Sequence, residues 1–550
     1  MSFNFKPYDH EIIFVPLGGS NEIGMNLNLY RYQGKWLMVD MGIGFPHDYL
    51  PGAEVVVPDT RFIEEHIGDN LLGLVLTHAH EDHLGAVPYL YDILNCPIYA
   101  TPFTANVLNH KLREEGIKGV QVKELEQGGH LELAPFTLDL IDLTHSIPEM
   151  QAIAIKTPAG TIMHTGDWKI DPDPVVGPAT DKATLKQYGN EGVLAIVCDS
   201  TNVFVEGTSG SEAEVKRELA ETIKTCQQRV VVTTFASNLA RVESIIMAGH
   251  EAGRKIFMAG RSFGRIISSA KDAGYLKGCP ELFPDDEAMN VPREQCMIIC
   301  TGCQGEPRAA LTRMARGDHQ HLRLASGDTV IFSSRDIPGN ESRIGYVQNL
   351  LIQQRVEVIT AGRGNDIHVS GHPARDELRE MYSMVKPQIA VPVHGEPRHL
   401  HEHVKLAKSL GVQETVEASN GAVILLKKGE AKQIGVVDSG YVAVDGKVLT
   451  PVDSSVFSQR RRLRDEGIIF VALAMEEGRL IETPAIMAPG CLDPRDDADI
   501  LKEIAEAIEA VTRERGGKKP LEERIRAAIR RIIKADLGKR PLIEIALLKV

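Results

Sequence analysis

The chain is poor in cysteine and in aromatic residues, with 8 Cys, 2 Trp and 5% Phe, Trp and Tyr in 550 residues. Eight cysteines over that length, several inside apolar runs such as Cys198 in VLAIVCDS, exclude a disulfide-framed scaffold and suit a reducing compartment. Nothing approaches the roughly 18 continuous apolar residues of a membrane span. The opening MSFNFKPYDHEIIFVPLGG lacks the basic and apolar regions of a secretory signal, so a cytoplasmic location without membrane contact is expected. A basic excess is missing too: 61 Lys and Arg stand against 75 Asp and Glu, a formal charge of −14. Bulk charge therefore argues against a chain that coats nucleic acid non-specifically. The acidity is uneven, because residues 451–550 carry 19 basic and 18 acidic side chains and the first 450 carry 42 and 57.

What is present is an ordinary globular mixture, 43% apolar and 25% charged, at a length that calls for two or three domains. From residue 12 to about 200, short apolar runs such as KWLMVDMG, LLGLVLTH and TIMHTGD read as strands, many ending in His, Asp or Ser at the edge of a sheet. Between about 210 and 365 helices alternate with buried strands, a parallel α/β pattern. Beyond 365 the first texture returns, which points to an inserted domain. Residues 441–460 read as a weakly apolar connector, and 461–550 as a small α+β unit with its own core. Cys296, Cys300 and Cys303 form half of a zinc ribbon with no second pair at the right spacing. They are expected to be small core residues.

The chemistry concentrates in Thr77-His78-Ala79-His80-Glu81-Asp82-His83, directly after the strand LLGLVL. Imidazole and carboxylate without thiolate suit an open catalytic zinc site better than a closed structural one. Alternation places His78 and His80 on one side of an extended loop, while His83, adjacent to Asp82, faces elsewhere. One ion could take His78 and His80 and a second Asp82 and His83, a two-metal layout. Further ligands are offered at the ends of later strands by His145, Asp167 and His394. Asp40, ending KWLMVD, is a candidate acid for holding the His-rich loop by hydrogen bonding. His164 is expected to be packed, and His399, His401 and His403 to lie on a solvated helix face.

HAHEDH with His145, Asp167 and the entry GGSNEIGMN resembles the metallo-β-lactamase fold. CDSTN around Asp199, TTFASN around Ser237, TGCQGEP at 301–307, SSRDIPGNE at 333–341, HVSGH at 368–372 and PVHGE at 392–396 narrow the resemblance to β-CASP nucleases of the ribonuclease J family. These motifs span residues 12 to about 400. The implied fold is an αββα sandwich (1–210 and 366–440) with a β-CASP α/β domain inserted at 211–365, a linker at 441–460 and a dimerising C-terminal domain at 461–550. By the same resemblance His78, His80 and His145 hold one metal, Asp82, His83 and His394 a second, and Asp167 bridges them. Two Zn²⁺ per subunit are implied, with Mn²⁺ or Mg²⁺ as alternatives. Asp82, Asp199 and His368 are the implied catalytic residues. His368, Val369, Ser370, Gly371 and His372 would form a phosphate-binding loop, joined by Ser237 and Asn238 in binding substrate. Where many members of the family carry a His, this chain has Leu239-Ala240, and Pro373 follows HVSGH.

The expected activity is zinc-dependent hydrolysis of RNA phosphodiesters, 5′-to-3′ with endonucleolytic cleavage as a further capability, in rRNA processing and mRNA decay. Two cations ~3.5–4 Å apart would activate a water and neutralise a phosphate oxygen, and attack would expel the 3′-oxygen. His368 would stabilise the phosphorane or protonate the leaving oxygen, and the N–H groups of residues 369–371 would form a nest, against the plainer reading of a turn that needs Gly371. The expected partner is single-stranded RNA with a 5′-monophosphate, and the expected assembly a homodimer or homotetramer. Arg254, Lys255, Arg261, Arg265, Arg313, Arg316 and Arg335 would track an RNA backbone only from a shared inward face. The charges of 522–534, acids first and bases last, already suit a helix dipole. Two other classes remain: a metallo-hydrolase of small esters or thioesters, and an RNA-binding assembly protein with secondary catalysis.

Overall fold

The computed structural model describes residues 3–46, 48–94, 96–362, 364–514 and 519–549. It divides into two compact units, residues 1–44 with 57–440, and 45–56 with 441–550. In the larger unit the strands of residues 12 to 200, apart from Val55–Pro58, form two sheets. One runs in the order Glu430–Val436, Ala422–Lys427, Ile12–Gly18, Leu27–Tyr32, Lys35–Val39, Leu71–Val75, Ile98–Ala100, Val122–Glu124. The other runs Glu414–Thr415, Ile389–Val393, Ala195–Asp199, Gly160–His164, Gln151–Thr157, Phe136–Asp142, His130–Leu133.

The period of two in these strands explains the layers. Ile153 and Ile155 face Ile12, Phe14 and Tyr30 in the core between the sheets. Ala152 and Ala154, pointing the other way, pack with Leu185, Leu378 and Met381 of the helices Lys182–Glu191 and Arg375–Val385. A strand covered on both faces reads as a continuous apolar run, which is why QAIAIKT shows no alternation. This is the αββα sandwich, and the chain leaves it after Asp199 and re-enters it at Ile389–Val393 alongside, in parallel register with Asp199 opposite Val393.

The excursion is the inserted domain. Its six parallel strands run in the order Leu282–Pro284, Lys255–Ala259, Cys296–Cys300, Val230–Thr233, Thr329–Phe332, Glu357–Thr360. Val231, Ile298 and Val330 pack against Leu311, Met314 and Val347 of the helices Ala310–Arg316 and Glu341–Gln353. Cys296, Cys300 and Cys303 are buried and free, as small core residues.

In the smaller unit the helices Ala498–Arg513 and Leu521–Leu537 present Ile504, Ile508, Ile525 and Ile529, at helical spacing, to the parallel pair Ile468–Glu476 and Leu542–Lys549. Residues 441–460 are not a connector. Tyr441–Asp445 pairs with Val448–Pro451 as a hairpin, and a helix follows over Ser455–Glu466, capped by Ser454. The basic run in that helix hid its role: Arg460 pairs with Asp445 at 2.8 Å, and Arg461 and Arg464 donate to the carbonyls of Tyr49 and Asp48. Segment 45–56 is thereby held in this unit although it lies 400 residues upstream. Arg524 and Arg526 likewise donate to backbone carbonyls.

The helix Pro397–Ser409 also departs from expectation. His401 is exposed beside Glu417, but His399 and His403 are buried. Four residues apart, they share the inward face, where His403 bonds Ser200 Oγ and Tyr382 Oη at 2.9 and 3.0 Å. His164 is packed as expected, 2.8 Å from Tyr30 Oη.

Candidate active site

The strand Leu71–Val75 delivers the HAHEDH loop to the edge of the sandwich, and Asp40 shapes it. Asp40 accepts from the Thr77 backbone N–H and hydroxyl, both at 2.8 Å. Its φ is +63°, a conformation costing on the order of 1–3 kcal/mol in a non-glycine residue. His78 Nε2 and His145 Nε2 each lie 3.0 Å from His80 Nδ1. Three imidazole nitrogens thus converge, with Asp167 completing a group of four. Gly371 O accepts from His145 Nδ1 at 2.6 Å, which leaves the Nε2 lone pair facing the others.

A second group joins Asp82, His83, Asp167 and His394. His83 donates through Nδ1 to Asp40 at 2.7 Å, so its Nε2 is turned to Asp167 Oδ2 at 3.1 Å. His394 Nε2 lies 3.1 Å from Asp82 Oδ2, and its Nδ1 is 2.7 Å from Thr201 Oγ1, which itself donates to Asp199. His394, like Asp40, holds a positive φ, +52°.

A third group was not foreseen. His372, read from the sequence only as part of a phosphate loop, sits with Asp167, Asp199 and His394. Its Nδ1 is 2.8 Å from Asp199 Oδ2 and 3.8 Å from Asp167 Oδ2. The only available signal was the second His of HVSGH, which spacing could not attach to a carboxylate 173 residues away.

The protonation states divide the site. Burial, with the neighbouring His83, holds His78 well below the ordinary histidine range, and burial with His80 does the same to His145. Burial brings His80 down to about 4 in spite of Asp82 and Asp167. These three rings are neutral, the form that offers a lone pair to a metal. Burial also resists charge on His83, His394 and His372, but the adjoining carboxylates, chiefly Asp167 for the first two and Asp199 for the third, outweigh it and raise them. Burial would likewise raise Asp82, Asp167 and Asp199, and the same histidines hold all three below the usual carboxylate range.

This donor set fits divalent cations. Asp167 belongs to all three groups, yet its Oδ1 is buried and has no hydrogen-bond partner among the described residues. An orphaned carboxylate oxygen within a cluster of imidazoles and carboxylates is what a shared cation would satisfy.

The 368–372 loop lies against these ligands. Gly371 has no positive φ, and its requirement is proximity instead: a Cβ there would stand 2.7 Å from His145 Cε1 and 2.9 Å from Nδ1. Gly42 is constrained the same way, since a Cβ would overlap Asp82 O. Ser370 Oγ accepts from Asn202 Nδ2 at 2.7 Å and from the His372 N–H at 3.2 Å, which leaves its proton to donate. His368 is in none of the metal-ligating groups. Asn238 spends its side-chain oxygen capping the helix Leu239–Glu251, and Leu239 and Ala240 are buried core. Ser237 stands one residue before that cap.

Several of the basic residues are engaged away from the 368–372 loop. Arg254 is buried and donates to the carbonyls of Gln228, Cys226 and Cys296. Arg265 pairs with Glu114 at 2.7 Å and approaches Glu81, tying the inserted domain to the HAHEDH loop. Lys255 lies over the Phe283 ring, Arg316 over Tyr346, and Arg313 donates to Asp318 O. Arg335 alone of the set reaches the loop, through Asn202 Oδ1 at 3.2 Å.

Four family models match the chain in succession: a beta-lactamase superfamily domain at 51–186, the ribonuclease J beta-CASP domain at 227–351, a Zn-dependent metallo-hydrolase RNA specificity domain at 361–418 and the ribonuclease J C-terminal domain at 455–550. The ribonuclease J of Sinorhizobium meliloti is 39% identical, with 98% of each chain covered. The chain belongs to the ribonuclease J family. Members from Corynebacterium glutamicum, 36% identical over 96% of this chain and 74% of theirs, and from Thermus thermophilus, 34% over 98% and 95%, agree. A solved Enterococcus faecalis V583 protein of unknown function shares the fold, at TM-score 0.53 and 14% identity over 76% of this chain and 100% of its own. The matched segments divide the site. HAHEDH, His145 and Asp167 fall in the lactamase segment, His372 and His394 in the RNA specificity segment, and Asp199 between the two. No described helix is long and apolar enough to cross a membrane.

Proposed function

We propose that the chain is a metal-dependent ribonuclease that hydrolyses RNA phosphodiesters at this centre. The observation that carries the reading is Asp167, buried, shared by three ligand groups and left with an unpartnered oxygen beside the 368–372 loop. His78, His80 and His145 with Asp167 would hold one zinc ion, and Asp82, His83 and His394 with Asp167 a second. Bound there, such ions lower the pKa of a water towards about 7 and neutralise charge on a phosphate oxygen.

The chain's own residues orient and select. Asp40 and Gly371 O aim His83 and His145 by accepting hydrogen bonds from their Nδ1–H groups. The backbone of 369–371 and the Ser370 hydroxyl offer donors to a phosphate, and His372 keeps a proton at Nδ1 through Asp199. In the reaction a water oxygen bonds to phosphorus as the bond to the 3′-oxygen breaks, leaving a 3′-hydroxyl and a 5′-phosphate. The finer reading is a 5′-to-3′ exonuclease with endonucleolytic capability, preferring a 5′-monophosphate, acting in the cytoplasm as a homodimer or homotetramer. The 461–550 domain supports the assembly: Phe470 and Met487 are register partners on its sheet and both are exposed.

The test is incubation with 5′-monophosphorylated and 5′-triphosphorylated RNA, with and without chelator. Chelator-sensitive release of 5′-mononucleotides, faster from the monophosphorylated RNA, is expected. His78→Ala should abolish it and leave RNA retention on filters nearly intact. RNA left whole at saturating Zn²⁺ and Mn²⁺ overturns the reading.

A further inference from the structure

Arg241 is a fully buried guanidinium at the start of the helix Leu239–Glu251 in the inserted domain. An unpaired charge there would be costly, and Glu212 balances it through two bonds, Nε to Oε2 at 3.0 Å and Nη2 to Oε1 at 2.9 Å. That pairing accounts for one edge of the guanidinium. The other, Nη1, is aimed where the chain re-enters the sandwich: Ser333 O at 3.0 Å, Ser333 Oγ at 2.9 Å, Ile367 O at 3.2 Å and His368 Nδ1 at 3.1 Å. Ser333 Oγ in turn donates to Ile367 O at 2.8 Å. Every group around Nη1 is an acceptor, and two protons are shared among four of them.

A guanidinium has donors only. His368 Nδ1 must therefore accept, and a proton on it would set donor against donor. The ring's single proton is then on Nε2. Among the described residues, the charges that act on His368 are those of Arg241 on its helix, Arg335 after the strand Thr329–Phe332 and Lys169 after the strand Gly160–His164. Together with burial they keep the ring neutral.

We propose that Arg241 is a positioning residue that fixes His368 as the neutral tautomer with its proton on Nε2, so that the ring meets the RNA phosphate as a hydrogen-bond donor and not as an acid. The role rests on the ribonuclease reading above. It narrows what His368 does in the reaction. A neutral imidazole stabilises charge growing on a phosphate oxygen, while the departing 3′-oxygen takes the proton that the attacking water releases as its oxygen bonds to phosphorus.

Two measurements decide it in the metal-loaded, full-length protein. The first reads the parent protein itself: in ¹⁵N-histidine-labelled protein the His368 signals, assigned by their loss in a folded His368→Gln variant, should show a bare Nδ1 and a protonated Nε2 at pH 7. A protonated Nδ1 overturns the proposal. The second is a double-mutant cycle. Losing one such donor costs on the order of 10²-fold in kcat, so His368→Ala should fall by about that much. Arg241→Met should lose at least about 10-fold in kcat with KM within about threefold. Arg241→Lys, still a donor, should recover most of that loss. The double variant should be no slower than His368→Ala alone, because Arg241 acts through the ring. Losses that multiply would assign Arg241 to the fold alone and overturn the proposal, as would a His368→Ala enzyme as fast as the parent. Absence of any chelator-sensitive RNA cleavage by the parent protein would instead remove the ribonuclease reading, and the tautomer measurement would still judge Arg241.

Discussion

Asp40 Oδ2 lies 2.7 Å from His83 Nδ1, and both side chains are almost wholly buried. The same carboxylate takes both donors of Thr77, so one acid at the end of a strand sets the loop and aims a ligand ring at Asp167. Asp40→Asn keeps the shape and offers an amide where the imidazole proton was received. Metal affinity should fall about 10- to 100-fold, with kcat recovered at excess metal because the ligands themselves remain. Zinc titration of the apoprotein checks this; unchanged affinity would falsify the role given to Asp40.

Gly371→Ala tests proximity. The added carbon would sit within 3 Å of the His145 ring, which is buried and cannot swing clear. The ring must move, so metal bound per chain should drop and turnover fall by about 10²-fold or more, as expected for an ångström-scale displacement. Folding should be retained. Full metal content in the variant, measured by mass spectrometry of the metals, would contradict the geometry.

Arg254→Ala separates structure from substrate binding. The side chain donates to three backbone carbonyls inside the β-CASP domain, and its loss strands them. Destabilisation of roughly 2–4 kcal/mol is expected. The Kd for single-stranded RNA at fixed salt should stay within about twofold. A weakened Kd with an unchanged Tm would return Arg254 to the RNA path.

The buried histidines away from the metal ligands predict an acid limit. Burial brings His164 and His403 down to about 4, against about 6.5 for an unfolded chain. Between those values the folded protein binds fewer protons than the unfolded one, so stability is fully present above pH 6.5 and is lost as pH falls towards 4. Each group contributes on the order of 3 kcal/mol across that window. His403→Gln should flatten the dependence of the urea midpoint on pH between 7 and 5 relative to the parent. Parallel slopes would show that His403 is not held neutral by the fold.

Much of the site was legible because its signals are local. HAHEDH packs four potential ligands into six residues, and no core or ordinary surface has use for that density of imidazole and carboxylate. Strands that end in His145, Asp167 and His394 point the same way, since a sheet brings strand ends together whatever its exact order. What was missed is non-local. His399 and His403 read as lying on a solvated face at a helix start after Arg398, and only the packing against Tyr382 shows which side is inward. Residues 441–460 read as a linker because GYVAVDGKVLTPVDSS is only weakly apolar, and the hairpin it forms and the bond from Arg460 to Pro51 O leave no apolar pattern to read.

The sequence by itself determined the chemistry available: imidazole and carboxylate without thiolate, on strands of an αββα sandwich interrupted by a parallel α/β domain. Tertiary structure decided which of these groups meet. The parallel register that sets Asp199 opposite Val393 brings His394 to Asp199, and the return of the chain at 367–372 sets His372 on the same acid and His368 on Arg241. The reason is physical. Side-chain chemistry and periodicity are written within a few residues, whereas hydrogen-bond partners 100 to 400 residues apart are chosen by strand order and close packing, which no short stretch of sequence contains.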